Sequence, residues 1–403
     1  MFKLREIQSM ERTLLFEYTL NKDFKLNFQT KYDFIRSLCQ RDIPDEVNDF
    51  VKQHRYKNFI QIGIGGSALG ATASIEFLSG IYHNYEKKRQ FFVLDNIDPE
   101  RMRFILTLNP DDTLFHVVSK SGATIETISQ FLILYKKVSE QIGDNAKEHF
   151  VFTTDRDVGF LRKFSKKEKI KTFDLAKEAG GRYSIFTPVG LLPISFFGYD
   201  INKFLDGGKD AVRAYRNGWS LPNDFVNFAV GEYENAKNIL VVFAYKDRLY
   251  SISDWFRQLW AESLGKDLKG QTPVKALGVT DQHSQLQLYQ DGPKDKAIVF
   301  LDCVNNYDIE TIGLDEFDFL NNKKLGKIMN IEKQSTRKAL EENGVPTAEL
   351  FLNEVNEYAL GALFASLMIA TAKAGDVLGV NAFDQPGVEL GKKYAKEKLK
   401  GGI

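Results

Sequence analysis

Residues 254–266 (DWFRQLWAESLGK) place the carboxylate of Glu262 near the end of a largely apolar stretch. The apolar residues recur at helical spacing, namely Trp255, Leu259, Trp260 and Leu264. This spacing predicts a buried helix that Gly265 would end, with Gln258 and Glu262 on one face because they are four residues apart. Such a carboxylate is either half of a structural ion pair or a general base that partial desolvation tunes for proton transfer. Taken alone, the pattern favours the ion pair.

The segment SKSGATIET (119–127) could bind a phosphate group. It offers three hydroxyls and one ammonium group at a turn between a predicted strand and a predicted helix: Ser119, Ser121, Thr124 and Lys120. Gly122 lets the backbone approach a ligand closely. The free N–H groups and the dipole of a helix N-terminus favour an anion, by about 0.3–1 kcal/mol each at an exposed site. An ordinary polar turn with an N-cap explains these residues equally well.

The Gly-rich turn IGIGGSALG (62–70) follows a short apolar strand and precedes a helix. Its glycine spacing matches a dinucleotide-binding turn only loosely. Asp95, at the end of the second predicted strand, stands further along than a ribose-binding residue would, so a nucleotide site is disfavoured. Ser67 is in position to cap the following helix, whose free N–H groups and dipole would make an anion site.

Three further polar residues could take part in chemistry, although each also has a simpler explanation. Arg182 follows two glycines and could hold a carboxylate, a phosphate or a developing oxyanion, or could bridge two domains in an ion pair. His283 is one of five histidines and could be packed or solvated. Lys392 lies in a basic tail, and such tails are usually exposed.

Composition indicates an ordinary globular protein with no strong overall field. The 403 residues suggest two domains, and Lys plus Arg equals Asp plus Glu at 54 each, so neither nucleic acid nor an anionic membrane is expected as a partner. The distant Cys39 and Cys303 argue for a reducing compartment and against a structural zinc site. Since no signal-peptide pattern occurs and the longest uncharged apolar run (358–372) is below the ~20 residues of a membrane span, a cytoplasmic protein is expected.

Strands alternate with helices from residue 58 onward, which predicts parallel sheets with helices on both faces. After a first strand at residue 58, the predicted strands lie at 90–95, 113–119, 149–154, 238–244, 274–280 and 296–303. Two helices separated by Pro44 precede them. Residues 180–200 are predicted to cross between the domains, and 321–342 to form a solvated helix or insertion. An apolar helix at 353–375 comes before a tail with a turn and a basic amphipathic helix.

Together these segments resemble the glucose-6-phosphate isomerase (phosphoglucose isomerase) family over most of the chain and in the family's order. The matching motifs are GIGGSALG (63–70), SKSGATIET (119–127), GGRYS (180–184), ESLGK (262–266), QHS (282–284) and FDQPGVELGK (383–392). The last three are specific to this family, whereas the first two also occur in other sugar-isomerase-domain proteins.

The resemblance implies an α/β fold with two doubly wound parallel-sheet sugar-isomerase (SIS) domains, as in a compact bacterial-type member. The expected divisions are N-terminal helices (1–55), a first domain with the phosphate cradle (56–195), a second with the catalytic Glu and His (205–375), and a C-terminal arm (376–403). The active site would lie between the two domains, at the carboxyl ends of the strands.

The resemblance also implies reversible isomerisation of glucose 6-phosphate and fructose 6-phosphate through an enediol(ate), without metal or cofactor. Glu262 would move a proton between C1 and C2, and Arg182 would stabilise the intermediate's negative charge. His283, reaching in from the second subunit of a homodimer, would assist ring opening with Lys392 nearby. The remaining matches would line the substrate pocket: Gly66, Ser67, Ser119, Lys120, Ser121, Thr124, Gln258 and Gln385.

Some positions depart from the family pattern and affect the fit of the substrate. Ala123 replaces a hydroxyl of the phosphate cradle, TDQHS replaces the common Asn-Gly-Gln-His, and Pro386 stands where a Trp is usual. Two alternatives stay open: additional activity on mannose 6-phosphate, and a non-catalytic sugar-phosphate sensor. Joint retention of the four proposed catalytic residues argues against the sensor. A related amidotransferase would need an N-terminal cysteine, where this chain has Phe2.

Overall fold

A computed structural model describes residues 2–18, 32, 34–38, 42–175 and 181–401. Within these ranges the strands form two five-stranded sheets with helices packed on them. Cys39 and Gly180, the first glycine of the GGRYS motif, lie outside the described residues.

The N-terminal segment contains a strand as well as helices: α1 (Phe2–Thr13), β1 (Leu14–Tyr18), α2 (Ile35–Leu38) and α3 (Asp42–Gln53). The sequence predicts only helices here. The apolar and aromatic residues of LLFEY suit a strand, and β1 pairs antiparallel at one edge of the second sheet. Pro44 does not separate two helices as predicted. It lies in the first turn of α3, where its missing N–H costs no hydrogen bond.

The first sheet is parallel throughout. Its elements in chain order are β2 (Asn58–Ile62), α4 (Leu69–Ser79), α5 (His83–Glu86), β3 (Gln90–Leu94), α6 (Pro99–Ile105), β4 (Thr113–Ser119), α7 (Ile125–Ile142), β5 (Phe150–Asp155), α8 (Phe160–Glu168) and β6 (Lys171–Leu175). The strand order is β3-β2-β4-β5-β6. β2 and β4 are buried along their whole length, which explains their largely apolar sequences. The sequence does not predict β6, an edge strand with exposed residues at Lys171 and Asp174.

Three helices connect the sheets: α9 (Pro188–Phe196), α10 (Ile201–Arg216) and α11 (Leu221–Glu234). The predicted crossover at 180–200 contains α9, which is buried along its length and packs on α3 and α4. Thr187 caps α9 by accepting a hydrogen bond from the Val189 N–H, and Pro188 occupies the first turn, where proline is favoured.

The second sheet continues the alternation of strands and helices. Its elements are β7 (Ile239–Ala244), α12 (Asp247–Leu264), β8 (Thr272–Leu277), α13 (Leu286–Asp291), β9 (Lys296–Cys303), α14 (Leu325–Glu342), β10 (Thr347–Leu352) and α15 (Glu357–Leu378), followed by the C-terminal α16 (Glu389–Leu399). The strand order is β1-β10-β9-β7-β8, and every neighbouring pair except β1–β10 is parallel. α12 begins earlier than the helix predicted from residue 254, and the sequence does not predict β10.

α15 is the central helix of the core. It is long and apolar enough to cross a membrane, but 89% of the 18-residue stretch that meets this criterion is buried inside the protein. It packs against α10, α11 and α12, in agreement with the buried helix predicted for residues 358–372. α14 corresponds to the predicted solvated helix, yet it buries Lys333, whose ammonium group lies 2.7 Å from a carboxylate oxygen of Asp302.

A buried histidine joins three central strands of the first sheet. His116 on β4 has no exposed surface. Its Nδ1 lies 3.0 Å from Oε1 of Gln61 on β2, and its Nε2 lies 2.7 Å from Oγ1 of Thr153 on β5. Burial lowers the pKa of His116 to about 3, so the ring stays neutral where an unfolded chain would take up a proton.

This histidine should make folding sensitive to acid. Below pH ~6.5 the unfolded state binds a proton that the folded state refuses, so the free energy of unfolding should fall by about 1.4 kcal/mol per pH unit for this group. The free energy of unfolding, measured with urea at pH 7.5, 6.0, 5.0 and 4.5, should fall with this slope below pH ~6.5. In His116→Gln the slope should be smaller by the contribution of one proton, about 1.4 kcal/mol per pH unit. An unchanged slope in a variant that still folds at pH 7.5 would contradict it.

Candidate active site

Glu262 and Arg182 form the centre of the site. Glu262 lies in the last turn of α12, and Arg182 lies in the short 3-10 turn Gly181–Tyr183. Nη1 of Arg182 lies 3.1 Å from Oε2 of Glu262, and Nε2 of Gln258 donates to Oε1 of Glu262 at 3.1 Å. The Arg182 side chain is 2% exposed, but that of Glu262 is 34% exposed. The carboxylate is therefore paired, as the structural alternative expects, and still open to a ligand, as a base must be.

Every N–H group of the Arg182 guanidinium has an acceptor. Besides Glu262, Nη1 donates to Oε1 of Gln385 at 2.9 Å, and Nε donates to Oγ of Ser263 at 2.8 Å. Nη2 donates to the carbonyls of Ala382 and Asp384, both at 2.8 Å. A buried cation needs this complete set of acceptors, since each unmet donor would cost free energy. Arg182 thereby holds α12 and the segment after α15 in one arrangement.

The Gly-rich turn after β2 fits directly against the Arg182 turn. A Cβ atom at Gly66 would lie 2.1 Å from the Gly181 carbonyl carbon and 2.4 Å from the Arg182 nitrogen. Gly65 has a φ of +59°, and a Cβ there would lie 2.6 Å from Nε2 of Gln258. Only glycine tolerates both this conformation and this approach. The turn therefore sets the positions of Arg182 and Gln258.

Ser67 lies in the same turn but does not cap α4, contrary to the prediction. Residues Gly65–Ser67 form a 3-10 turn, and α4 starts at Leu69 after Ala68, with no side-chain cap. Nε2 of Gln61 instead holds the turn by donating to the Ser67 carbonyl at 2.8 Å.

The hydroxyl-rich segment surrounds the N-terminus of α7. Ser119 ends β4, Thr124 occupies the N-cap position of α7, and their side-chain oxygens lie 2.9 Å apart. Thr124 makes no side-chain cap hydrogen bond to the helix. Ser121 is exposed, and its Oγ accepts from the Ala123 N–H at 3.3 Å. Lys120 adjoins them in sequence. The helix end and these hydroxyls suit an anion.

Parallel pairing places the two turns at one edge of the sheet. β2 and β4 are neighbours, so the Gly-rich turn and the hydroxyl-rich segment both follow the carboxyl ends of adjacent strands. A Cβ at Gly63 would lie 3.2 Å from the Val118 carbonyl, which shows how closely the turn passes β4. Ligands of open parallel sheets bind at this edge.

Within one chain the remaining predicted residues divide into two groups. Gln385 contacts Arg182 directly. His283 is exposed at the end of the 3-10 turn Thr280–His283, and no contact joins it to Glu262 in the part of the chain that the structure describes. Lys392 lies on α16, is 62% exposed and pairs with Glu389 at 2.9 Å. The single chain thus brings Glu262 together with its partners and the Gly-rich turn and places the hydroxyl-rich segment at the same sheet edge, but leaves His283 and Lys392 at the surface.

Three residues near the site were not singled out by the sequence prediction. Oγ of Ser263 accepts from Arg182 and lies 3.1 Å from the hydroxyl of Tyr183, whose pKa burial raises to about 12. Lys266 forms an ion pair with Asp384 at 3.1 Å. Ser263 and Lys266 both belong to the ESLGK motif, which marks this stretch of sequence but not their roles, and Lys266 lies two residues beyond the end of α12.

Comparison with known proteins defines the family. The chain matches the model of the phosphoglucose isomerase family over residues 27–401. It is 42% identical over 363 residues to a glucose-6-phosphate isomerase of Carboxydothermus hydrogenoformans, covering 85% of this chain and 78% of that relative. The chain belongs to the phosphoglucose isomerase family.

Solved structures share the fold. The crystal structure of a hypothetical protein from Thermus thermophilus matches with a TM-score of 0.84 at 33% identity, covering 99% of this chain and 94% of that one. A glucose-6-phosphate isomerase from Chlamydia trachomatis matches with a TM-score of 0.80 at 20% identity, covering 98% and 83% respectively. The predicted family and the predicted α/β fold with parallel sheets are confirmed.

In the described residues of this phosphoglucose isomerase family member, no cluster of three or more His, Cys, Asp or Glu side chains could hold a metal ion.

The contact between the two turns can be tested by adding a methyl group. Gly66→Ala should lower the free energy of unfolding by about 1–3 kcal/mol, because the new methyl overlaps the Arg182 turn. Gly181→Ala is the matched control, since a Cβ there meets nothing within 4 Å. Urea unfolding of both variants measures the difference. Equal stability of the two variants would mean that the turns do not pack as described.

Proposed function

We propose that this protein interconverts glucose 6-phosphate and fructose 6-phosphate without a metal ion, in glycolysis and gluconeogenesis in the cytoplasm. Membership of the phosphoglucose isomerase family supports the reaction. The observation that carries the mechanism is the carboxylate of Glu262, one third exposed yet held by Arg182 and Gln258. This arrangement offers a fixed base beside a fixed cation.

An aldose–ketose interconversion needs a proton to leave one carbon and return to its neighbour. In the direction from glucose 6-phosphate, the open-chain aldehyde would lose its C2 proton to Glu262, and the electron pair would move through C1 to form the C1 oxyanion of an enediolate. Glu262 would then return the proton to C1 as the C2 hydroxyl becomes a carbonyl, and the proton of that hydroxyl would pass to the C1 oxyanion. Each carboxylate oxygen has two lone pairs, so Glu262 keeps acceptor sites after bonding to Arg182 and Gln258.

Arg182 and Gln258 would meet the changing charge and the hydroxyls of the sugar. A cation already fixed by five hydrogen bonds needs no reorganisation when negative charge develops on the enediolate. Oε1 of Gln258 is buried and has no hydrogen-bond donor among the described residues, so a sugar hydroxyl would supply the missing donor. Gln385 and the backbone around Gly66 and Ser67 would complete this wall.

The phosphate would bind at the N-terminus of α7. A sugar phosphate carries between one and two negative charges near neutral pH, which suits the helix end, the hydroxyls of Ser119, Ser121 and Thr124, and the positive charge of Lys120. This position lies at the same sheet edge as the Gly-rich turn, so a sugar held by its phosphate would extend toward Gln258 and Glu262.

Ring opening would need a second chain. His283 and Lys392 are exposed in one chain. No residue of α16 is buried, and its apolar side chains Leu390, Tyr394 and Leu399 are 54–71% exposed. A homodimer in which His283 of one subunit enters the site of the other would cover such surface and supply the ring-opening group.

The base role of Glu262 has a direct kinetic test. Glu262→Gln should lower kcat by roughly 10²–10⁴-fold with substrate binding largely kept, because the amide cannot accept the carbon-bound proton. The assay supplies fructose 6-phosphate and follows glucose 6-phosphate through NADP reduction with EDTA present. Glu342→Gln, which changes a 68% exposed glutamate on α14, is the control.

The outcomes separate the alternatives. A Glu262→Gln variant within tenfold of wild type would remove Glu262 from the base role. A wild type that binds fructose 6-phosphate by calorimetry without turnover would be a sugar-phosphate sensor. Turnover of mannose 6-phosphate in the same assay, coupled through its fructose 6-phosphate product, would show the wider specificity.

Mixed dimers test the shared site. A dimer of one Glu262→Gln chain and one His283→Ala chain retains one site with both groups intact if His283 acts in the partner's site. Random reassociation makes half of the dimers mixed, so about one quarter of wild-type activity should return. Each variant unfolded and refolded alone is the control, and absence of recovery in dimers shown to be mixed would contradict a site shared through His283.

A further inference from the structure

Lys266 is held at the end of α12 by the segment that leads to the C-terminal helix. Its side chain is 10% exposed, and its ammonium group lies 3.1 Å from Oδ1 of Asp384. It also donates to the Ser263 carbonyl at 3.0 Å and to the Asn381 carbonyl. The three N–H groups of the ammonium are therefore matched by three acceptors. Burial lowers the pKa of Lys266, while the bond to Asp384 opposes this shift.

The segment that Lys266 holds is the same one that holds Arg182. Residues 381–385, called the arm root below, contain Asn381 and Asp384, which contact Lys266, and also the two carbonyls and the Gln385 side chain that accept from Arg182. The arm root is further fixed by Phe383, whose ring centroid lies 5.2 Å from that of Tyr183. One cation thus approaches the arm root from α12 and the other from the Arg182 turn.

Few other contacts from the described residues fix the arm root. Asn381, Phe383, Asp384 and Gln385 are exposed, whereas Ala382 is buried. Asn381 and Asp384 also bond to each other at 2.8 Å, which closes the segment on itself without attaching it to the domain. The attachment therefore depends on Lys266, Arg182, the Phe383 ring and the buried Ala382, which lies next to Gly375 of α15.

We propose that Lys266 is a positioning residue, which fixes the arm root so that Arg182 stays aligned on Glu262 and so couples the placement of the C-terminal arm to catalysis. This inference rests on the proposed isomerase function for its kinetic consequence. Loss of Lys266 would let the arm root move, and Arg182 would lose the fixed acceptors that orient its Nη1 toward the base. Proton transfer depends steeply on such alignment, whereas binding of the phosphate, at the distant end of the substrate, does not.

The test compares two neighbouring lysines. Lys266→Met should lower kcat for fructose 6-phosphate by about 10–100-fold with KM changed less than about threefold, and Lys266→Arg should recover at least part of the loss. Lys269→Met is the matched control, because Lys269 also donates to a backbone carbonyl near the end of α15, that of Leu378 at 2.8 Å, but does not touch the arm root. Its kcat should stay within about threefold of wild type.

A second measurement does not depend on turnover. Hydrogen exchange of the amides at 382–385 should speed up in Lys266→Met and not in Lys269→Met. If wild type shows no turnover, the proposed isomerase function fails while this exchange result still reports on the arm root. If wild type turns over and Lys266→Met matches Lys269→Met in both kcat and exchange, the positioning role is overturned.

Asp384→Asn keeps the proposal testable if Lys266→Met does not fold. Asp384 is 52% exposed, so this change removes a half-exposed carboxylate and leaves the Lys266 ammonium group with its two carbonyl acceptors. It should lower kcat in the same direction as Lys266→Met. In the double variant the two losses of kcat should not add, because both changes remove the same contact, that between Lys266 and Asp384. Additive losses, or an Asp384→Asn kcat equal to wild type, would contradict the coupling.

Discussion

The buried guanidinium of Arg182 constrains the whole site. Its side chain is 2% exposed, and a cation removed from water is tolerated only when its donors are met by acceptors in good geometry. Those acceptors come from the end of α12 and from residues 382–385, which are far apart in the sequence. Removing an acceptor would leave a donor of this buried charge unmet, and an unmet buried donor typically costs about 1–3 kcal/mol, or more where the group is charged.

This constraint reconciles two interpretations of Glu262 that the sequence presents as alternatives. A structural ion pair and a catalytic base are different roles only if pairing closes the carboxylate to a ligand. Here Arg182 takes Oε2 and Gln258 takes Oε1, and one third of the side chain stays exposed. The pairing orients the carboxylate without enclosing it. The same guanidinium that orients Glu262 would stand ready for the negative charge of the enediolate.

The sequence predicts well those elements whose burial is uniform. β4 and β9 are buried at every residue, so their apolar runs mark the strands at 113–119 and 296–303 from local composition. β1 and β6 are edge strands, and their pairing depends on partners distant in the chain. β10 lies inside the sheet, but its sequence TAELFL combines the apolar residues 350–352 with Thr347 and Glu349. This mixture does not form a clear strand pattern. The predicted helix boundary at Pro44 is wrong because proline is tolerated in the first turn of a helix as well as between two helices.

The site shows the same division between local and distant information. Motifs identify Glu262, Arg182 and the hydroxyls near α7, because each sits in a compact stretch of sequence. The function of Ser263 and Lys266 could not be deduced in this way, since their partners Arg182, Asn381 and Asp384 come from other parts of the chain. A side chain whose role is to hold another residue is defined by its contacts, and contacts at this separation have no local pattern.

The C-terminal helix α16 is the element whose stability points beyond one chain. α16 has 11 residues, none of them buried, and an isolated helix shorter than about 12–15 residues is marginal in water. Such a helix gains its stability by packing its apolar side chains against another surface, and a second subunit would offer one. Because Lys266 and Arg182 both hold the root of this arm, any surface that fixes α16 would also restrict the segment that orients Arg182. Assembly and alignment of the base would then be linked through residues 381–385.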